Sequence, residues 1–269
     1  MQTQIVNGIE LAVLDRDSGP AVVLVHGFPL DHTMWDAQID PLAENHRPIV
    51  PDLRGFGNSG VTEGVVTMER FADDLAGMLD ALNVSEPVVL CRLSMGGYIV
   101  FQFWRKYPAR VRALMLCDTR ALTDTPEMAA ARLEMADRIV REGPEPLIDG
   151  MMPKLFAAET IRERPELAES LRRVMQSHDR QGIAAAGRGM AERPDVTSML
   201  GQIDCPTLVV VGQFDAISTP EEMRAIARAI PGSQLVEIAG SGHMSPMEKP
   251  AEFNRAMLEF LAPYSSRSA

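Results

Sequence analysis

The stretch Pro87-Val88-Val89-Leu90-Cys91-Arg92-Leu93-Ser94-Met95-Gly96-Gly97 decides how this chain is read. Its first half is a short apolar run bounded by proline, the pattern of a strand buried on both faces in a parallel sheet. Its second half opens a helix that runs through Ile99, Phe101, Phe103 and Trp104 to about Tyr107. A serine between two such elements sits on a sharp turn. The turn lifts its hydroxyl out at the carboxyl end of the sheet, where the first N–H groups of the helix also point. Both features suit a nucleophile, although a serine that only caps the helix would read the same way in isolation. The spacing matches the second half of G-x-S-x-G, with Gly96 two residues after Ser94. Arg92 stands where the first glycine would be.

Working outward, similar apolar runs recur at 21–25, 48–50, 113–117, 207–211 and 234–238. Residues 4–14 hold two short runs around Asn7-Gly8, a dipeptide that tolerates the positive φ of a tight hairpin. Between 67 and 82, Met68, Phe71, Leu75, Met78, Leu79 and Leu82 follow helical spacing and leave Asp73, Asp74 and Asp80 for solvent. Strands alternating with helices predict an α/β fold, a mainly parallel sheet with helices on both faces. From about 125 to 200 no strand pattern occurs, and a helical insertion is expected there. The tail at 265–269 is expected to fray.

Composition narrows the function classes. With 269 residues and 46% hydrophobic content the chain can bury one large core. Twenty-six Lys and Arg against 37 Asp and Glu leave a net charge of −11, which repels phosphate backbones and anionic lipid heads. Nucleic-acid and membrane partners are therefore not expected. The three cysteines, Cys91, Cys117 and Cys205, lie in or beside apolar runs and read as core thiols of a reducing compartment. Neither a leader pattern nor an apolar stretch of membrane-spanning length is seen, so the expectation is a cytoplasmic protein.

A serine nucleophile needs a base, and the base an orienting acid. Among five histidines, His243 has the most suggestive setting, because Ala239-Gly240-Ser241-Gly242-His243 follows the last strand run. His26 ends another strand, whereas His32, His46 and His178 lie in polar surroundings and are expected to be solvated. The acid is Asp215, just past the 207–211 run and before Thr219-Pro220-Glu221-Glu222, which reads as a capping box. Asp118, after the run that ends at Cys117, competes for the same role. Gly55-Phe56-Gly57-Asn58-Ser59-Gly60 spells G-x-G-x-x-G and raises a dinucleotide-binding oxidoreductase as a rival. That rival fails on context, because no helix pattern opens until about Thr67. No pair of ligand-type residues shows metal spacing on one element, so neither metal nor cofactor is expected.

His26-Gly27-Phe28-Pro29, Asp52-Leu53-Arg54-Gly55-Phe56-Gly57-Asn58-Ser59, Ser94-Met95-Gly96-Gly97, Asp215 and Gly242-His243 occur in an order that resembles the α/β-hydrolase superfamily over nearly the whole chain. Within it the chain looks most like the bacterial carboxylesterase, enol-lactonase and cofactor-free haloperoxidase or perhydrolase group. The resemblance implies an α/β-hydrolase core at 1–122 and 201–269 with a helical cap at 123–200. It implies Ser94, Asp215 and His243 as catalytic residues, an oxyanion hole from the Phe28 and Met95 N–H groups, and Pro29, Phe156, Ile217 and Met244 at the substrate. The methionines at 128, 135, 151, 152, 175, 190 and 199 either line an adaptable pocket or pack cap against core. The expected reaction is hydrolysis of a small or medium carboxylic ester or lactone through an acyl-enzyme. Alternatives are perhydrolysis, suggested by Pro29 directly after Phe28, and a ligand-binding protein whose catalysis Arg92 has blunted. Arg92 itself is expected to pair with Asp118. A homo-oligomer is left open.

Overall fold

Eight strands form one sheet: β1 (Gln2–Val6), β2 (Ile9–Asp15), β3 (Ala21–Val25), β4 (Arg47–Pro51), β5 (Val88–Leu93), β6 (Val111–Cys117), β7 (Thr207–Gly212) and β8 (Gln234–Ile238). Their order is β1-β2-β4-β3-β5-β6-β7-β8. The computed structural model describes residues 1–16 and 18–265, so the expected fraying of the last four residues lies outside the described residues. β1 and β2 pair antiparallel through the hairpin at Asn7 and Gly8, whose φ angles are 47° and 81°, and β2 pairs antiparallel with β4. Every other pairing is parallel.

Side-chain alternation along the central strands divides the interior in two. Val23, Val25, Leu90, Leu114, Leu116, Val209 and Val211 point into one apolar cluster. This cluster is covered by α2 (Met68–Ala81), α3 (Met95–Lys106) and α9 (Pro220–Ala229). Val22, Leu24, Val89, Cys91, Met115, Leu208 and Val210 point into the other, covered by α1 (Asp36–Ala43) and α11 (Pro250–Leu261). The 67–82 periodicity is accounted for by α2, whose amino end Thr67 caps by accepting from the Arg70 N–H, except that Asp74, expected in solvent, is buried because the Arg54 guanidinium donates to both its oxygens. The loop between β4 and α2 contains no helix, which removes the dinucleotide reading of Gly55 to Gly60.

Between β6 and β7 the chain leaves the sheet for α4 (Pro126–Glu142), α5 (Glu145–Leu155), α6 (Ala158–Glu163), α7 (Pro165–Ser177) and α8 (Arg180–Ala191). Its outgoing and returning segments run side by side. Val196 N–H donates to the Ala121 carbonyl at 3.0 Å, and the Thr123 hydroxyl donates to the Arg193 carbonyl at 2.7 Å. Arg193 and Arg132 both donate to the buried carboxylate of Asp124, at 2.7 and 2.8 Å. No helix among the described residues is long and apolar enough to cross a membrane.

Candidate active site

β5 passes into α3 through Ser94, whose φ of 53° and ψ of −116° place a non-glycine residue in a conformation costing about 1–3 kcal/mol. Three hydrogen bonds hold it there. The Ser94 N–H donates to the Cys117 carbonyl at 3.1 Å, and the Ser94 carbonyl accepts from the Gly97 N–H and from the Thr119 hydroxyl, each at 2.8 Å. A Cβ at position 96 would lie 2.8 Å from the Val25 carbonyl oxygen and 3.2 Å from the Arg92 Cβ, so only glycine lets α3 begin this close to β3 and β5. Met95 opens α3, so its N–H has no partner one turn back in the helix. A Cβ at Gly27 would be 3.3 Å from the Ser94 Cβ and 3.0 Å from the Leu93 side chain, so the chain just past β3 runs close against the turn at Ser94. Phe28 and Pro29 are both buried, joined by a cis peptide bond.

Arg92 does not pair with Asp118. Its place in the β5 alternation points it, with Leu90, beneath α3. The guanidinium lies 5.0 Å from the Phe101 ring centre, in room that Gly97 leaves, since a Cβ there would come within 2.7 Å of Nη1. It is fully buried, and none of its three nitrogens has a hydrogen-bond partner among the described residues. Burial lowers its pKa to about 9. Asp118, at φ 45° just past β6, turns instead toward β7 and the loop after β8, where the Gly212 N–H (2.8 Å) and the Ser245 hydroxyl (2.6 Å) occupy its two oxygens.

The loops after β7 and β8 bring Asp215 and His243 together. His243 Nδ1–H donates to Asp215 Oδ2 at 2.8 Å, with both side chains buried. This bond fixes the tautomer, with the proton on Nδ1 and Nε2 unprotonated. The other Asp215 oxygen accepts from the Ile217 and Ser218 N–H groups at 2.7 and 3.0 Å. Burial alone would raise the pKa of Asp215, but the His243 imidazole and those two amides outweigh it and hold the carboxylate low. The capping box at Thr219 and Glu222 is formed in both directions and anchors the far end of the loop carrying Asp215.

Glu248 is the site residue that the sequence reading missed. Its buried carboxylate accepts from Gly242 N–H on Oε1 (2.7 Å), and from Ala157 N–H (2.8 Å) and the Thr160 hydroxyl (2.6 Å) on Oε2. It thus ties the loop carrying His243 to the α5–α6 junction of the insertion. The Met244 N–H adds a bond to the Leu155 carbonyl at 3.0 Å. A lone glutamate in the four-residue α10 (Ser245–Glu248) carries no periodic signal that would expose this role. Phe156 and Met244 are buried, Ile217 is half-buried, and all three join the apolar cluster that includes Leu30 and Met152. Of the seven methionines, Met175, Met190 and Met152 are buried and Met128 is exposed.

Two histidines expected in solvent are buried, His46 and His178. His46 directly precedes β4, and His178, from the α7–α8 junction, stands edge-on to Phe56 at 5.5 Å and accepts the Gly57 N–H on Nδ1. Burial pushes the His178 pKa down to about 4. His32 is half-buried, its Nδ1 2.7 Å from Asp52 Oδ1. That hydrogen bond raises its pKa against the opposing effect of burial. His26 is structural: Leu53 N–H donates to its Nε2 and its Nδ1–H donates to the Gly27 carbonyl. Ligand-type atoms converge in two places among the described residues, Asp31 with His32 and Asp52, and Asp118 with Asp215 and His243, each set within 4.8 Å. Hydrogen bonds within each set and to nearby amides already engage these atoms.

Comparison with known proteins agrees with this architecture. A thermophilic esterase from Thermogutta terrifontis superposes with a TM-score of 0.95 at 51% identity, over 98% of this chain and 97% of that one. The enol-lactonase from Burkholderia xenovorans LB400 gives a TM-score of 0.90 at 29% identity, over 97% of this chain and all of that one. In sequence, 3-oxoadipate enol-lactonase 1 of Acinetobacter baylyi is 28% identical over 237 residues, 88% of this chain and 86% of its own. The alpha/beta hydrolase fold family model matches residues 20–250, and the chain belongs to that family.

Proposed function

We propose that this hydrolase cleaves small or medium carboxylic esters or lactones through a covalent acyl-enzyme on Ser94. His243 Nε2 takes the Ser94 proton as the Oγ attacks the carbonyl carbon, and Asp215 holds the imidazole in the tautomer that permits this and offsets the imidazolium charge. The Phe28 and Met95 N–H groups stabilise the oxygen that becomes negative. As the tetrahedral species collapses, the carbon–oxygen bond to the alcohol breaks and His243 returns the proton to the leaving oxygen. Water, activated by the same nitrogen, then releases the acid. In a lactone the leaving alcohol stays tethered to the acyl group, so one turnover yields a hydroxy acid.

One observation carries this reading: the buried Asp215–His243 hydrogen bond reserves Nε2 for a base, at the sheet edge where Ser94 holds its positive-φ turn. The esterase and enol-lactonase relatives support the substrate class. A panel of p-nitrophenyl esters of rising acyl length, run beside lactones and the Ser94→Ala variant, tests it. Turnover of at least one class, lost in the variant, is expected. Hydrolysis unchanged by Ser94→Ala contradicts it.

A further inference from the structure

Asp118 is a buried carboxyl in the site that the reaction above does not use. It follows β6 as Asp215 follows β7, and the two strands are neighbours, with Cys117 paired to Val210. Asp118, Asp215 and His243 each present an atom within 4.8 Å of the others. Asp118 is wholly buried and keeps a left-handed backbone, φ 45°, a conformation rarely adopted by residues other than glycine. Its bonds reach both loops that carry the acid and the base: Gly212 N–H lies three residues before Asp215, and Ser245 two residues after His243.

We propose that Asp118 is a reserve acid for His243, a positioning residue that clamps the two loops in the intact protein and takes over part of the support of the imidazole when Asp215 is lost. The proposal rests on the His243 and Asp215 roles given above. Its physical ground is that two carboxyls this close in a water-poor site do not both ionise. The titratable groups facing Asp118 are Asp215, His243 and the Cys117 thiol. Asp215 carries the charge, having the imidazole and two amides, while burial and the neighbouring Asp215 push Asp118 well above the ordinary carboxylate range. Removing the Asp215 charge removes the repulsion and lets Asp118 ionise within reach of His243.

The test compares Asp215→Asn, Asp118→Asn and the double variant, each checked for folding by circular dichroism. Loss of the acid in a serine triad costs about 10⁴ in kcat when nothing replaces it. Here Asp215→Asn is expected to lose only about 10², and the double variant about 10⁴, which places the difference on Asp118. The remaining activity of Asp215→Asn should rise with pH through a carboxylate that titrates above the usual range, and that limb should vanish in the double variant. Independently of turnover, the downfield Nδ1–H resonance of His243 should persist in Asp215→Asn and disappear in the double variant. That signal reads the Asp118 contact whether or not the protein cleaves esters, whereas a wild type inert towards every ester sinks only the triad reading. An Asp215→Asn variant as inactive as the double, with the resonance already gone, overturns the proposal.

Discussion

The two sides of the candidate site treat buried charge in opposite ways. Around His243 the buried carboxylates are well bonded: Asp215 accepts three hydrogen bonds, and Glu248 accepts three from two separate parts of the chain. At the elbow, two residues before the serine, Arg92 is buried with no hydrogen-bond partner among the described residues and with its guanidinium over the Phe101 ring. Other buried arginines of the molecule do not resemble it. Arg54 makes two 2.7 Å bonds to Asp74, and Arg193 is paired with Asp124. A desolvated charge is tolerated cheaply only when it is paired, so the His243 side is built for rigidity and the elbow carries an energetic debt.

That contrast can be broken most forcefully at Glu248. Glu248→Ala strands two backbone donors and a threonine hydroxyl in a buried position, and a loss of about 3–5 kcal/mol in urea unfolding is expected, with activity falling as the base loop detaches from the insertion. A loss under 1 kcal/mol would mean that water replaces the carboxylate freely.

Arg92→Met tests the other side, with the opposite sign. An apolar chain of similar length removes the unpaired charge and keeps the contact with Phe101. Stability should rise by about 1–3 kcal/mol, a gain reduced by whatever the cation–π contact contributes. A fall in stability would show that the guanidinium is satisfied after all.

Asp124 gives a paired reference with a defined pH signature. Burial alone would raise its pKa, but Arg193 and Arg132 bring it down to about 2. A depressed carboxylate contributes stability above its unfolded pKa and loses it as the pH falls through the folded one. Asp124→Asn is therefore expected to cost about 1–2 kcal/mol at neutral pH, with the difference from wild type closing between about pH 4 and 2. A difference independent of pH would rule out the ion pairs as its source. The smallest effect belongs to the acid loop, where Thr219→Ala removes half of the capping box and should cost about 1 kcal/mol in thermal or urea unfolding.

How much of this was legible in the sequence follows the same division. Elements with a period or a cap are plain: the apolar runs form β3 to β8, the 67–82 periodicity forms α2, and Thr219 to Glu222 forms a cap. The contact between Asp215 and His243 is legible because each follows a strand on a loop, and β7 and β8 are neighbours in the sheet. What escaped depends on which way a side chain leaves its strand or on contacts across long gaps. Arg92 and Asp118 looked like partners because both are charges at adjacent strand ends, but alternation sends Arg92 under α3 while the turn at Asp118 faces β7. Glu248 meets residues about 90 positions earlier, and His178 meets Gly57 across 121 positions, separations over which a single sequence carries no pattern.

Labelling with a fluorophosphonate, followed by intact-mass measurement and peptide mapping, tests most directly whether Ser94 is the activated nucleophile. The account predicts one phosphonyl group per chain on Ser94, none on Ser94→Ala, and labelling slowed by about a thousandfold in His243→Ala. An adduct on another serine, or a Ser94 that reacts no faster with His243 present than without it, would contradict it.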